Sequence, residues 1–211
     1  VEMFLVVNFN SIDYEAYVLE LVRRQYRSWE MQASYTWSEA VGDGEDFNQA
    51  AGDDRTKLRD EYGYQSYDQR HVVKVNATTI TPWGFRLGGA IRWQSGLPFS
   101  VVDRKVAFDA LPPSLRGQVA STSRVREQYP SHQRNDQRNT SWWEIDAKFT
   151  KELNAGRGLN MQFSVEVFNL LNDGTYTIWN PDTGQGRQIN GQNDARRNFG
   201  RRWQLGFKMA F

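Results

Sequence analysis

The last nine residues, Trp203-Gln204-Leu205-Gly206-Phe207-Lys208-Met209-Ala210-Phe211, alternate bulky apolar with polar or small side chains without a slip. Successive side chains of a β-strand point to opposite faces, so a strict period of two marks a strand whose faces meet different surroundings. One face here is Trp203, Leu205, Phe207, Met209 and Phe211. The other, Gln204, Gly206, Lys208 and Ala210, has no bulky apolar side chain. Such a segment needs a sheet around it, and whatever covers its apolar face decides the fold.

The same alternation recurs upstream. Leu159, Met161, Phe163, Val165 and Val167 oppose Asn160, Gln162, Ser164 and Glu166. Trp143, Ile145, Ala147 and Phe149 oppose Glu144, Asp146, Lys148 and Thr150. Phe85, Leu87, Gly89, Ile91 and Trp93 oppose Arg86, Gly88, Ala90, Arg92 and Gln94. Val73, Val75 and Ala77 oppose Lys74, Asn76 and Thr78, and Trp29, Met31, Ala33, Tyr35 and Trp37 oppose Glu30, Gln32, Ser34, Thr36 and Ser38. Tyr17, Leu19 and Leu21 suggest a further strand, its faces blurred by Val18 and Val22, and residues 1–9 an eighth. The expected fold is all-β, with seven or eight antiparallel up-and-down strands.

The connections alternate in length. Arg24 to Ser28, Thr81-Pro82-Trp83-Gly84 and Asn154-Ala155-Gly156-Arg157-Gly158 are short, with Pro and Gly where turn geometry favours them. The connections at about 39–70, 95–141 and 169–200 are long and polar. Three structureless loops of that length are uncommon in a compact soluble domain, whereas a transmembrane β-barrel has short periplasmic turns and long extracellular loops. On that topology the aromatic residues fall into two belts. Trp203, Trp142, Trp143, Trp93, Tyr35 and Trp37 lie at the extracellular rim, and Trp29, Trp83, Phe85, Phe149 and Phe211 at the periplasmic one. Between them run strands of about 9–11 residues, the length that spans a bilayer when tilted.

Composition excludes several classes. No stretch approaches the ~18 consecutive apolar residues of a membrane-spanning helix, and the mean hydropathy is −0.72. A barrel tolerates that value because inward polar residues average the hydropathy away. The 8 Trp, 9 Tyr and 12 Phe suit membrane–water interfaces. Cysteine is absent, which removes disulfides and thiolate chemistry, and a net charge of +1 gives no argument for nucleic acid. The chain opens Val1-Glu2-Met3 without a secretion signal pattern. The expectation is that a signal has been removed, or that this is the C-terminal piece of a longer protein.

Four runs carry a family resemblance: Tyr35-Thr36-Trp37-Ser38, Asp68-Gln69-Arg70-His71, Ser95-Gly96-Leu97-Pro98-Phe99 and Glu166-Val167-Phe168-Asn169-Leu170-Leu171-Asn172. In order and position they resemble the C-terminal barrel of TonB-dependent outer-membrane receptors, most of all the Oar-like subgroup with a carboxypeptidase-regulatory-like N-terminal domain. The resemblance runs from about Tyr14 to Phe211. It implies a 22-stranded barrel in the outer membrane of a Gram-negative bacterium, plugged by an N-terminal domain and importing a ligand with energy from TonB. Residues 1–211 would be the C-terminal part of that barrel, and the plug and TonB box have no counterpart among them. The implied partners are outer-membrane lipid and lipopolysaccharide, the plug, TonB, an extracellular ligand, and the barrel-assembly machinery. In the family that machinery reads a closing strand ending in Phe, so Trp203, Leu205, Phe207, Met209 and Phe211 would form the assembly signal.

Two other architectures fit the pattern. A complete eight-stranded barrel with adhesive or structural duties would close its first strand onto its last. A soluble β-protein would cover the Leu205/Phe207/Met209 face with a second sheet.

Candidate chemistry is sparse. The inward set is Lys74, Arg86, Arg92, Glu144, Asp146, Lys148, Glu166 and Lys208. Within it, Arg92 and Glu144 are expected to form a cross-strand ion pair. Loop 39–61 carries eight acids, Glu39, Asp43, Glu45, Asp46, Asp53, Asp54, Asp60 and Glu61, against Arg55, Lys57 and Arg59. They suit a solvated surface or a calcium ion, without EF-hand spacing. Loop 95–141 is basic, with Arg104, Lys105, Arg116, Arg124, Arg126, Arg134 and Arg138. These residues balance the acidic loop or meet lipopolysaccharide phosphates or an anionic ligand. His71 is expected to be a hydrogen-bonding rim residue. His132 with a loop Asp and Ser is the nearest approach to a catalytic grouping, and nothing singles it out. The reading is a non-enzyme with no cofactor and no resident metal.

Overall fold

The computed structural model describes residues 10–44, 55–103, 105, 108–109, 111–118, 129–156, 158–177, 195–196 and 199–211. Twelve strands occur among them: β1 (Ile12–Tyr26), β2 (Trp29–Gly42), β3 (Gly63–Tyr64), β4 (His71–Ile80), β5 (Phe85–Gln94), β6 (Pro98–Phe99), β7 (Gln137–Arg138), β8 (Trp142–Asn154), β9 (Asn160–Phe168), β10 (Tyr176–Thr177), β11 (Ala195–Arg196) and β12 (Arg202–Ala210). The seven long ones form one antiparallel sheet in the order β1-β2-β4-β5-β8-β9-β12, each paired with the next long strand in sequence. The proposed strand at 1–9 lies outside the described residues.

Register makes the two faces continuous across the sheet. One row runs Tyr35, Val73, Trp93, Trp143, and the next Ala33, Val75, Ile91, Ile145. Further down, Leu87, Phe149, Val165 and Leu205 are aligned. On the opposite face Ser34, Lys74, Arg92 and Glu144 form a row, as do Gly88, Lys148, Glu166 and Gln204. Every member of the expected inward set sits on this polar face. It is also the concave side: a broad trough along it is lined by Gln32, Asn76, Gly88, Asp146, Lys148 and Glu166.

The apolar face is uncovered. Leu205, Phe207 and Met209 are 78%, 59% and 50% exposed, and among the described residues no second sheet lies over them. A face of this extent has to meet something apolar.

The short connections are tight turns. Pro82 sets the bend of Thr81–Gly84, and Gly84 takes φ 71, donating its N–H to Thr81 O at 2.9 Å. At the first hairpin β2 starts at Trp29 as expected, but β1 runs past Arg24 to Tyr26, leaving Arg27 and Ser28 as the turn with Arg27 at φ 61. β1 is correspondingly longer than the Tyr17–Leu21 core, with Val18 and Val22 opposite Thr36 and Gln32 on the polar face. The long connections are not structureless. They contain a 3-10 helix at Arg55–Glu61, a short helix at Pro113–Arg116 and the strand pairs β2·β3, β6·β7 and β10·β11.

Candidate functional site: the extracellular loop junction and the polar face

Most of the deeply buried side chains lie where the long loops meet the strand ends. Ala40, Phe99, Val102, Tyr129 and Trp142 are buried there beside Asp68, Ser100, Arg134, Asn135 and Asn139. Loop residues can be buried only if their polar groups are satisfied. The loop after β2 supplies carboxylates and the loop after β5 supplies cations. The Asp68 side chain is fully buried and pairs with Arg138, while its Oδ1 accepts the Ala40 N–H at 2.7 Å. Arg134 donates to the carbonyls of Glu61 at 2.8 Å and Gly42 at 2.9 Å. Asn135 donates to Tyr64 O at 2.6 Å and exchanges hydrogen bonds with the Ser100 hydroxyl at 2.8 and 3.1 Å.

Arg70 pairs with Glu39 at 2.8 Å and shares the Tyr64 ring with Arg138, at 5.0 and 4.9 Å to the centroid. Burial disfavours the Arg70 charge. Its hydrogen bond to Glu39 and the charges of Asp68 and Glu39 outweigh this, holding the guanidinium above its ordinary range. Gly96 passes so close to Asn139 that a Cβ would collide with that residue's carbonyl; only glycine leaves this space.

A second junction ties β8, β9 and β12. Asn169 adopts φ 52 and donates to Asp173 O at 2.9 Å and Phe199 O at 2.8 Å, and its own N–H goes to Asp146 Oδ1 at 2.9 Å. Asp146, expected as an inward side chain, is therefore also an anchor for the end of β9. Asn172 Oδ1 accepts from Arg201 N at 2.9 Å.

From the basic loop, Arg138 pairs with Asp68, beyond the acidic run 39–61, and Arg134 reaches the backbone carbonyls of Glu61 and Gly42, while Arg104, Arg124 and Arg126 lie outside the described residues. So do Glu45, Asp46, Asp53 and Asp54. Among the described residues no cluster of three or more His, Cys, Asp or Glu could hold a metal. His132 Nδ1 meets Asp60 at 3.1 Å, but the neighbouring Ser131 hydroxyl turns to Gln133 O at 3.2 Å.

On the polar face Arg92 meets Glu144 at 3.4 Å, the expected cross-strand ion pair, and Lys148 pairs with Glu166. On the apolar face the upper aromatic band runs Tyr35, His71, Trp93, Trp143, with ring spacings of 6.1, 6.3 and 6.1 Å. The Tyr35 hydroxyl meets His71 Nδ1 at 2.9 Å, so His71 is a rim hydrogen-bonding residue. Trp37 packs on Tyr17 at 5.5 Å. At the lower end Phe85 contacts Phe149 at 4.9 Å, Arg23 covers Trp29 at 3.7 Å, and Trp83 lies exposed in its turn.

Trp142 does not belong to this band. It alternates with Trp143, pairs opposite Gln94 on the polar face, and is only 5% exposed at the loop junction. Neighbouring positions of a strand cannot share a face. The loop-locking residues were missed as functional candidates, although Asp68, Arg70, Gly96, Asn169 and Asn172 all stand in the runs that carry the family resemblance.

A family model described as "Outer membrane beta barrel domain" matches residues 4–204. The structure is similar to the ferric-catecholate import receptor Fiu of E. coli K12 in its closed form, with a TM-score of 0.52 and 13% sequence identity. That similarity covers 94% of this chain and 21% of the receptor, so the chain spans about a fifth of its length. No curated protein sequence matches the chain.

Proposed function

This chain belongs to the outer membrane beta barrel domain family, and on that premise we propose that it forms one wall of a TonB-dependent receptor that imports a ligand across the outer membrane. Its setting is the outer membrane of a Gram-negative bacterium, with the apolar face in lipid. The observation that carries the proposal is the open sheet. Among the described residues β1 and β12 stand at opposite edges without pairing to each other. Unpaired backbone is not tolerated in a bilayer, so further strands have to complete the wall.

In this reading the barrel is the 22-stranded one of the Oar-like receptors and a plug supplied by the rest of the protein fills the polar trough. TonB drives that plug, and the barrel-assembly machinery reads the outward side chains of β12. The loop junctions fix the extracellular mouth where ligand is captured. No catalytic step belongs to this role. The alternative, a complete eight-stranded adhesive or structural barrel, would close through a strand at residues 1–9, which lie outside the described residues.

Uptake by a strain lacking the parent gene tests the proposal, across iron chelates (ferric-catecholates first), peptides and glycans. Loss of uptake of one class, with the same loss in a strain lacking TonB, is the expected result. Unchanged uptake together with lost adhesion would favour the small barrel.

A further inference from the structure

Near the extracellular ends of β1, β2 and β4 the polar face holds a recess of about 290 Å³, lined among others by Tyr14, Thr36, Tyr67, Val72 and Lys74. Lys74 stands directly across from Arg92, and like charges in that position repel. Arg92 is relieved by Glu144 at 3.4 Å. Lys74 has no such relief: Glu20, in the same row, already accepts from Gln32 at 2.7 Å. Asp68, at the recess wall, is committed to Arg138 and the Ala40 N–H. Among the described residues no carboxylate pairs with the Lys74 ammonium.

Tyr14 and Tyr67 are 64% and 54% exposed, so ring surface is open to a ligand. Their phenol groups and the Thr36 hydroxyl are likewise without hydrogen-bond partners among the described residues. A concavity of this size admits one ring. Exposed tyrosines offer it a stacking surface, the hydroxyls hydrogen bonds, and the lysine a counter-charge.

We infer that this recess binds a ring bearing a carboxylate, with the ring against a tyrosine and the carboxylate on Lys74. Aromatic acids and uronic-acid sugars share that chemistry. The inference deepens the uptake reading and rests on it for access from outside the cell.

The test uses the full-length receptor in lipid nanodiscs, titrated by saturation-transfer NMR with benzoate, benzyl alcohol, glucuronate and glucose. At least one acid should bind about tenfold more tightly than its neutral analogue, as a charge-assisted contact predicts. Lys74→Gln should erase that preference and Arg86→Gln, lower on the same face, should leave it intact. Whichever acid binds identifies the source. Equal binding of acids and neutral analogues, or a preference that survives Lys74→Gln, overturns the inference.

A second arm separates this from failure of the receptor reading. Val72→Cys should react on intact cells with a membrane-impermeant thiol reagent. Labelling without an acid preference rejects the site alone. Absence of labelling rejects access from outside, and the proposed site with it.

Discussion

Replacing Asp68 with Ala is expected to open the extracellular loop junction while leaving the barrel wall folded. The carboxylate is fully buried and joins three segments: the end of β2 through Ala40 N–H, the start of β4 through Arg70 at 3.8 Å, and β7 through Arg138. Removing the carboxylate leaves the buried Ala40 N–H and the half-buried Arg138 guanidinium without this acceptor, and an unsatisfied buried group costs about 1–3 kcal/mol. The penalty falls on loops rather than on lipid-embedded strands, so it should appear as local unfolding. Protease added to intact cells should cleave within 60–70 and 129–141 in the variant and not in the parent protein. Asp68→Asn keeps an acceptor for Ala40 but loses the charge, and should fall between the two. An unchanged cleavage pattern in Asp68→Ala would show that the junction does not hold the loops.

The second large effect concerns the wall. Val75 lies midway along β4, flanked by Ala33 and Ile91 on the apolar face, while Asn76 lies between Gln32 and Ala90 on the polar face. Arginine on the lipid face near the bilayer midplane costs about 2–4 kcal/mol. Val75→Arg should therefore destabilise the full-length protein by roughly that amount, measured by urea titration in lipid vesicles. Asn76→Arg should be nearly neutral, because its side chain enters the polar trough. Equal destabilisation by both would mean that the two faces do not differ in surroundings.

The wall was legible in the sequence because its information is local. Period-two alternation assigns each side chain a face, and short turns force antiparallel neighbours, so two inward residues at matching distances from the strand ends must meet. Arg92 and Glu144 do so although 52 positions separate them. The rule fails only where it is not followed through. Trp142 and Trp143, being adjacent, could not both face lipid, and the chemistry of tryptophan concealed what the phase already stated.

The loop junction has no comparable code. Arg138 reaches Asp68 across 70 positions and Arg134 reaches Gly42 across 92. Neither loop has a period that sets its register. Composition gave one loop an acidic and the other a basic character, which does not say that Arg138 finds Asp68 or that Arg134 finds backbone carbonyls. The motif runs came closer, since an Asp at a strand entrance and an Asn at a strand exit suit capping of backbone groups.

The central claim is that a single sheet presents one face to lipid and the other to the barrel interior, and spin labels along β9 test it most directly. Single cysteines at 161–167 in the full-length protein, reconstituted in vesicles, would be scored for collision with oxygen, which partitions into lipid, and with a water-soluble nickel chelate. Oxygen accessibility should alternate with a period of two, high at Met161, Phe163, Val165 and Val167 and low at Gln162, Ser164 and Glu166. A flat profile, or maxima at Gln162, Ser164 and Glu166, would contradict the account.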